Sequence, residues 1–262
     1  MTDKIFTIEG GDGRLVATAI HDGHHVRPDA LAGMELAEES RLREEDPFTA
    51  RWTRVAPTRV CGLRSRFEVD LNRPRETAVY LTPADAWGLE VWKDGAPDPE
   101  VVAGSLAEYD RFYSALGQLY TDLEARHGRF VVLDLHSYNH LRGGPDAPGA
   151  DPEQNPQVNV GTGTMGDRAR WAPVIDRFIS DLSSFDFPGG ALDVRENVKF
   201  RGGNHARWAH KTFPDAACVL SVEVKKFFMN EWTGVPDSEL LDAVERAIGS
   251  TVPGVLQELE QL

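Results

Sequence analysis

Apolar residues fall in short blocks along the chain, divided by segments rich in Gly, Pro, Asp and Arg. Residues 4–9 (KIFTIE) and 14–20 (RLVATAI) have strand character, and the GGDG between them predicts a hairpin. Residues 29–43 space Leu31, Met34, Leu36 and Leu42 among Glu and Arg as a helix does. EEDPFTARWT reads as a turn into a short helix, and TRVCGLRSRFEVDLNRPRE as an extended stretch ending in a polar loop. The clearest amphipathic helix covers 105–127, where Ser105 with Glu108 has the form of a capping box. A strand over 129–136 follows Gly128 directly.

The second half repeats this alternation. Residues 141–164 (LRGGPDAPGADPEQNPQVNVGTGT) predict a long functional loop, because apolar pattern resumes on both sides. A helix over 167–184 carries Trp171, Val174, Ile175, Phe178, Ile179 and Leu182 at helical spacing. ALDVRENVKFRGGNHARWAH is a polar segment, ACVLSVEVKKFF a strand, and 237–262 a helical region broken near Pro253. Alternating strands and helices over residues 1–262 predict one α/β domain with a mixed, mostly parallel sheet. Ligands in such sheets bind beyond the carboxyl ends of strands, a rule that selects His21, His136 and Glu223.

Charge and composition narrow the function. The net charge of −14 argues against binding duplex nucleic acid, which needs a basic face. Apolar runs fall well short of the roughly 20 residues of a membrane helix, and the acidic start MTDKIFTIEGGDG lacks the pattern of a signal peptide. Cys61 and Cys218 have no C-x-x-C partner and read as small buried thiols, consistent with a reducing cytoplasm.

Candidate chemistry gathers at the strand ends. Two histidines, His21 and His136, are each followed by small polar residues, as catalytic metal ligands would be, although a histidine capping a strand looks the same. Asp134, two residues before His136, shares its face and could orient the imidazole. REED (43–46) offers carboxylates, but acidic residues also suit a helix entrance. Arg66, Asn72 and Arg73 cluster around SRFEVDLNRPRE, as a solvated basic patch or as a grip on a substrate carboxylate. Gly202 and Gly203 allow close backbone approach to a ligand or simply a tight turn. Glu223 interrupts an apolar strand, which is costly unless the carboxylate is paired, wet or used as a base.

HDG after a strand, SRFEVDLNRPRE, DLHS after a strand, FRGG and the late VEV, in that order, resemble the N-formylglutamate amidohydrolase family. That family groups with the zinc carboxypeptidase-like and aspartoacylase-like hydrolases, and the resemblance runs from about residue 15 to about residue 230. It implies a three-layer αβα, zinc carboxypeptidase-like domain holding one Zn2+ or another divalent ion. His21 and His136 would match the histidine ligands. The related carboxypeptidases place a Glu three residues after the first His; here that position is His24, so the acidic ligand falls on Glu45 or Asp46, and Glu45 is taken. Arg66 would polarise the scissile carbonyl, Asn72 and Arg73 would grip a substrate carboxylate, Gly202 and Gly203 would line the pocket, and Glu223 would be the general base.

The implied reaction is zinc-assisted hydrolysis of an N-acyl, including N-formyl, amino acid or a similar small anionic amide. A carboxypeptidase-like zinc peptidase and a non-catalytic binder of acidic metabolites are the alternatives. His24, His25, His140 and His205 read as pocket or surface residues, surface being the plainer reading, and Tyr138-Asn139-His140 as shaping what the pocket accepts.

Overall fold

Phe130–Tyr138 (β4, FVVLDLHSY) is buried at all nine positions, as a strand covered on both faces must be. In this computed structural model, which describes residues 4–262, β4 lies at the middle of a seven-stranded sheet. The expectations of one domain over 1–262 and of no leader also involve residues 1–3, which lie outside the described residues. The other strands are Phe6–Glu9 (β1), Leu15–Ala19 (β2), Thr58–Gly62 (β3), Val158–Gly161 (β5), Val194–Glu196 (β6) and Ala217–Lys225 (β7). Their order is β1-β3-β2-β4-β7-β5-β6, antiparallel where β1 meets β3 and β5 meets β7, and parallel elsewhere. The sheet is therefore mixed and mostly parallel, as expected.

Alternation along the strands splits the core in two. Val131, Leu133 and Leu135 of β4, with Leu220 and Val222 of β7, pack on one face against helices Ala172–Ser184 (α5) and Ser238–Gln261 (α7). Phe130 and Val132, with Val219, pack on the other against Pro99–His127 (α4) and Asn204–Thr212 (α6). This is the three-layer αβα arrangement. Fully buried residues such as Leu116 and Phe178 each contribute about 1.5–3 kcal/mol of transfer free energy.

The register puts the polar residues of the central strands on one face. Thr18 of β2 pairs with Asp134, and His136 of β4 pairs with Glu223 of β7. Even positions of β4 and odd positions of β7 face α4 and α6, so Asp134, His136, Ser221 and Glu223 continue that face past its apolar part.

Several local expectations give way to tertiary pairing. The predicted hairpin does not form, because β3 lies between β1 and β2. All five residues of β2 are buried and both its edges are taken, by β3 and β4, which leaves no edge for β1. The GG turn packs instead on Pro57 and Thr58, where Gly11 N donates to Thr58 Oγ1. The helix expected over 29–43 is two, Pro28–Gly33 (α1) and Glu38–Glu44 (α2), parted where Met34 turns extended and bridges Trp92. Helix α4 begins before Ser105, at Pro99, capped by Asp98 on Glu100 N. Ser105 and Glu108 lie inside it, bonded to Arg27 and Arg64. Helix α7 runs through Pro253, and the polar segments hold β5, β6 and α6. Thr49–Trp52 (α3) is the short helix after the EEDPF turn. Cys61 and Cys218 are free thiols, Cys218 buried and Cys61 half-buried. Among the described residues no helix is long and apolar enough to cross a membrane.

Candidate active site

Three segments converge beyond the carboxyl ends of β2 and β4. The chain turns after β2 and drops His21 into the interior, 2% exposed; β4 delivers His136, also 2% exposed. The third side chain comes from the end of α2. Glu45, its C-cap, is extended (φ −78°, ψ 176°), and in extended chain successive side chains project to opposite sides. Glu45 turns away, its carboxylate 2.5 Å from His24 Nδ1 and accepting from Ser65 Oγ. Asp46 turns in, with Oδ2 at 2.8 Å from His136 Nδ1 and 3.5 Å from His21 Nδ1, and its backbone N–H donates to His21 O at 3.0 Å. The acidic residue that joins the two histidines is thus Asp46 and not Glu45.

Each imidazole is braced from behind by a second carboxylate. His21 Nε2 lies 2.7 Å from Asp70 Oδ1, and His136 Nε2 lies 3.2 Å from Asp134 Oδ2. Asp70 also receives Arg66 Nη2 at 2.9 Å, Asn72 N at 2.8 Å and the Tyr80 hydroxyl. Burial pushes the Asp70 carboxyl up, but the charges of Arg66 and His21 and the hydrogen bonds outweigh it and hold it well below the usual carboxylate range. Asp134 is held down likewise: burial raises it, and His205 and His136 more than reverse that. For His136 burial works against the charged form, yet Asp134 and Glu223 raise it well above the ordinary histidine value. The surrounding anions therefore favour a positive charge at this point.

Ligand atoms of His21, Asp46 and His136 lie within 4.8 Å of one another, all buried, with both Nδ1 atoms facing the same Asp46 oxygen. Two imidazoles and a carboxylate, with the outer ring nitrogens beside Asp70 and Asp134, are a donor set that could hold a divalent ion. These residues fit such an ion.

His21, Asp46, Arg66, Asn72, His136, Gly202, Gly203 and Glu223 line one cavity of about 250 Å3. Glu223 sits beside His136 across the β4–β7 ladder, and burial pushes its carboxyl up to about 7, with His136 pulling down and Asp46 and Asp134 pushing up. Among the described residues its carboxylate accepts no hydrogen bond within the protein, so it is available to a ligand in the cavity. Arg66 lies against Asp70 and Tyr80 and under the Trp87 ring at 4.9 Å. Asn72 points its Nδ2 to within 3.5 Å of His136 Nε2. Gly203 is needed for this packing, since a Cβ there would stand 2.2 Å from Asn72 Oδ1; Gly202 has φ +103°, a conformation that favours glycine.

Arg73 is not brought into the lining. Its Nη2 donates to Asp85 O at 2.7 Å and its guanidinium stacks over Tyr80 at 4.6 Å, behind Asp70. Arg201 and Arg142 line the cavity along with Arg66. Sequence pattern does not single out Asp70, whose partner His21 lies 49 residues away. Nor does it single out Lys226, which is fully buried against the cavity, with Nζ donating to the carbonyls of Arg43 and Glu45. Tyr138 and Asn139 do line the cavity, whereas His24, His25 and His140 do not. His205 is neither in the cavity nor on the surface but wholly buried.

The family model described as N-formylglutamate amidohydrolase matches residues 13–227. Among solved structures, an N-formylglutamate amidohydrolase from Ralstonia eutropha JMP134 superposes with a TM-score of 0.72 at 17% identity, over 98% of this chain and 99% of its own. Gene product Atu2144 from Agrobacterium tumefaciens gives a TM-score of 0.65 at 16% identity, over 97% and 96%. At such identities the likeness is one of fold. No protein of curated function is significantly similar in sequence.

Proposed function

Because the chain belongs to the N-formylglutamate amidohydrolase family, we propose that it is a metal-dependent enzyme cleaving the amide of a small anionic N-acyl amino acid, N-formyl included. The observation that carries this reading is the His21–Asp46–His136 cluster facing Glu223 in one cavity.

His21, Asp46 and His136 would hold one divalent ion, zinc in the first instance, since neutral imidazole and carboxylate suit it. When bound, the ion supplies Lewis acidity toward the scissile carbonyl and the attacking water. Asp70 and Asp134 keep the outer ring nitrogens protonated, so that Nδ1 of each histidine presents its lone pair. Glu223 takes the proton of the attacking water and passes it to the leaving amine; a carboxyl near 7 is matched to both halves of that task at neutral pH. Arg66, fixed by Asp70 and Tyr80, presents fixed positive charge to the negative charge that grows on the carbonyl oxygen. Asn72 and the Arg201 guanidinium, on the cavity wall, meet the substrate carboxylate, with Arg73 supporting Tyr80 and Asp70 from outside. A local group of guanidinia in a chain of net charge −14 draws an anionic substrate to this cavity.

The test is a panel of N-formyl and N-acetyl amino acids and short peptides given to zinc-loaded and to chelated protein. Hydrolysis of N-acyl amino acids that is lost with the chelator and restored by zinc is expected. Cleavage of peptides alone would move the assignment to a carboxypeptidase-like peptidase, and absence of turnover with every substrate by zinc-replete protein would refute the proposal.

A further inference from the structure

His205 has no contact with the cavity, yet it touches both halves of the site from behind. It is 0% exposed, in the first turn of α6, on the sheet face that carries Asp134 and His136. Its Nδ1 stands 3.0 Å from Asp134 Oδ1, and its Nε2 stands 2.9 Å from the Tyr120 hydroxyl of α4. Its backbone N–H donates to Asn72 Oδ1 at 3.0 Å. With the tyrosine hydroxyl donating to Nε2, the proton sits on Nδ1, on the side of the Asp134 carboxylate, at ion-pair distance and without an aligned hydrogen bond.

We infer that His205 is a positioning residue of the metal site, holding Asp134 against His136 through its ring while its backbone fixes the amide of Asn72. The inference rests on the metallohydrolase reading above. Asp134 has two oxygens. One faces His136 Nε2 at 3.2 Å; the other accepts Thr18 Oγ1 at 2.6 Å and faces His205. The carboxylate, 0% exposed, can swing only by giving up those contacts. A locked Asp134 fixes the ring angle of His136 and so the direction of its Nδ1. Asn72 is locked by the same residue, because its side-chain oxygen is held by His205 N and its Nδ2 is thereby turned toward His136. The near contact of Gly203 with Asn72 leaves that amide little room to find another partner.

The chemistry of the ring predicts a separable pair of variants. In His205→Asn the amide nitrogen can occupy the Nδ1 position beside Asp134; in His205→Gln the amide lies one carbon further out, toward Tyr120. Both leave the backbone N–H on Asn72, and both disturb the buried core to a similar degree. Zinc affinity is measured on the full chain by competition with a chromophoric chelator, alongside the melting temperature of the metal-free protein. We expect His205→Gln to weaken zinc binding about tenfold, the lower end of the range for outer partners of a metal ligand, and His205→Asn to bind as wild type does, with both metal-free proteins melting alike. Equal zinc affinity in His205→Gln and wild type would overturn the inference, as would an equal loss in both variants that follows their melting temperatures. If His205→Gln does not fold, Tyr120→Phe takes its place, because it frees the ring without removing it: weaker zinc binding supports the inference and unchanged binding overturns it. A wild-type protein that takes up no zinc refutes the metallohydrolase reading itself and the inference with it.

Discussion

Replacing Glu223 with Gln should make the metal-free protein more stable at alkaline pH while removing its activity. Burial beside Asp46 and Asp134 raises the Glu223 carboxyl from 4.5 to about 7. At about 1.4 kcal/mol per pH unit, the folded state disfavours the ionised carboxylate by roughly 3 kcal/mol. Below pH 4.5 the group is protonated whether the chain is folded or not, and Gln gains nothing. Between 4.5 and 7 the unfolded chain ionises first, so wild type loses stability as pH rises; above 7 the whole of that loss is present. The advantage of Glu223→Gln should therefore be about 1 kcal/mol at pH 5 and about 3 kcal/mol at pH 8. Every other titrating group is common to the two proteins, so the change in the difference reports this carboxyl together with its coupling to His136. Urea unfolding of both proteins in excess chelator at the two pH values measures it. A variant no more stable relative to wild type at pH 8 than at pH 5 would refute the argument that Glu223 is held in a destabilised, proton-accepting state. On the zinc-loaded protein the same substitution should lower kcat by about 10²–10⁴, the share usually carried by a general base.

The two neighbouring acids should separate cleanly in a metal-binding assay: Asp46→Asn should cost more zinc affinity than the roughly 10–100-fold worth of an outer partner, while Glu45→Gln should keep the metal and lose about 1–3 kcal/mol of stability through its buried bonds to His24 and Ser65. Equal zinc loss in both variants would show that the geometry at the end of α2 has been misread. Gly203→Ala forces a methyl to within 2.2 Å of Asn72, so it should raise KM for an anionic substrate and cost about 1–3 kcal/mol of stability; wild-type kinetics would mean that Asn72 does not hold substrate.

How much of this was legible in the sequence depended on whether the deciding contact was local. β4 could be read because burial on both faces demands an unbroken apolar run, and its polar end stood out against that run. Glu223 was visible for the same reason, and the parallel direction of its strand follows from the α/β alternation, whereas the register that sets it beside His136 does not. The four-residue β5 (VNVG) and three-residue β6 lie in polar sequence and exist because the β7 edge accepts β5 and β5 in turn accepts β6, a fact no local pattern carries. The hairpin failed for a related reason: the turn chemistry was right, but both edges of β2 were claimed by strands distant in sequence. Arg73 was placed in the cavity because it adjoins Asn72, yet its guanidinium is drawn away by Asp85 O and the Tyr80 ring, partners of the following loop. The sequence leaves His205 as a pocket or surface residue, surface being the plainer reading; what buries it is packing beside a carboxylate on β4 and a hydroxyl on α4.

The choice between Glu45 and Asp46 shows where such reading stops and what takes over. Both are acids at one helix end, one residue apart, and on a continuing helix they would differ by about 100° around the axis. The helix ends at Glu44, however, and with Glu45 extended the periodicity drops from 3.6 to 2, so the adjacent carboxylates face opposite ways. Pro47 ends the helix by disfavouring helical backbone at Asp46, and Lys226 fixes that end from outside, its buried ammonium donating to the carbonyls of Arg43 and Glu45. Those two donations satisfy acceptors that the last turn would otherwise leave unpaired. The lysine sits directly after β7, three residues beyond Glu223, so one strand supplies both the proposed base and the clamp that aims the proposed acidic ligand. The relative placement of Glu223 and Asp46 is therefore set through Lys226 as well as through the sheet, and a Lys226→Met substitution should loosen Asp46 without touching any residue proposed to hold the metal.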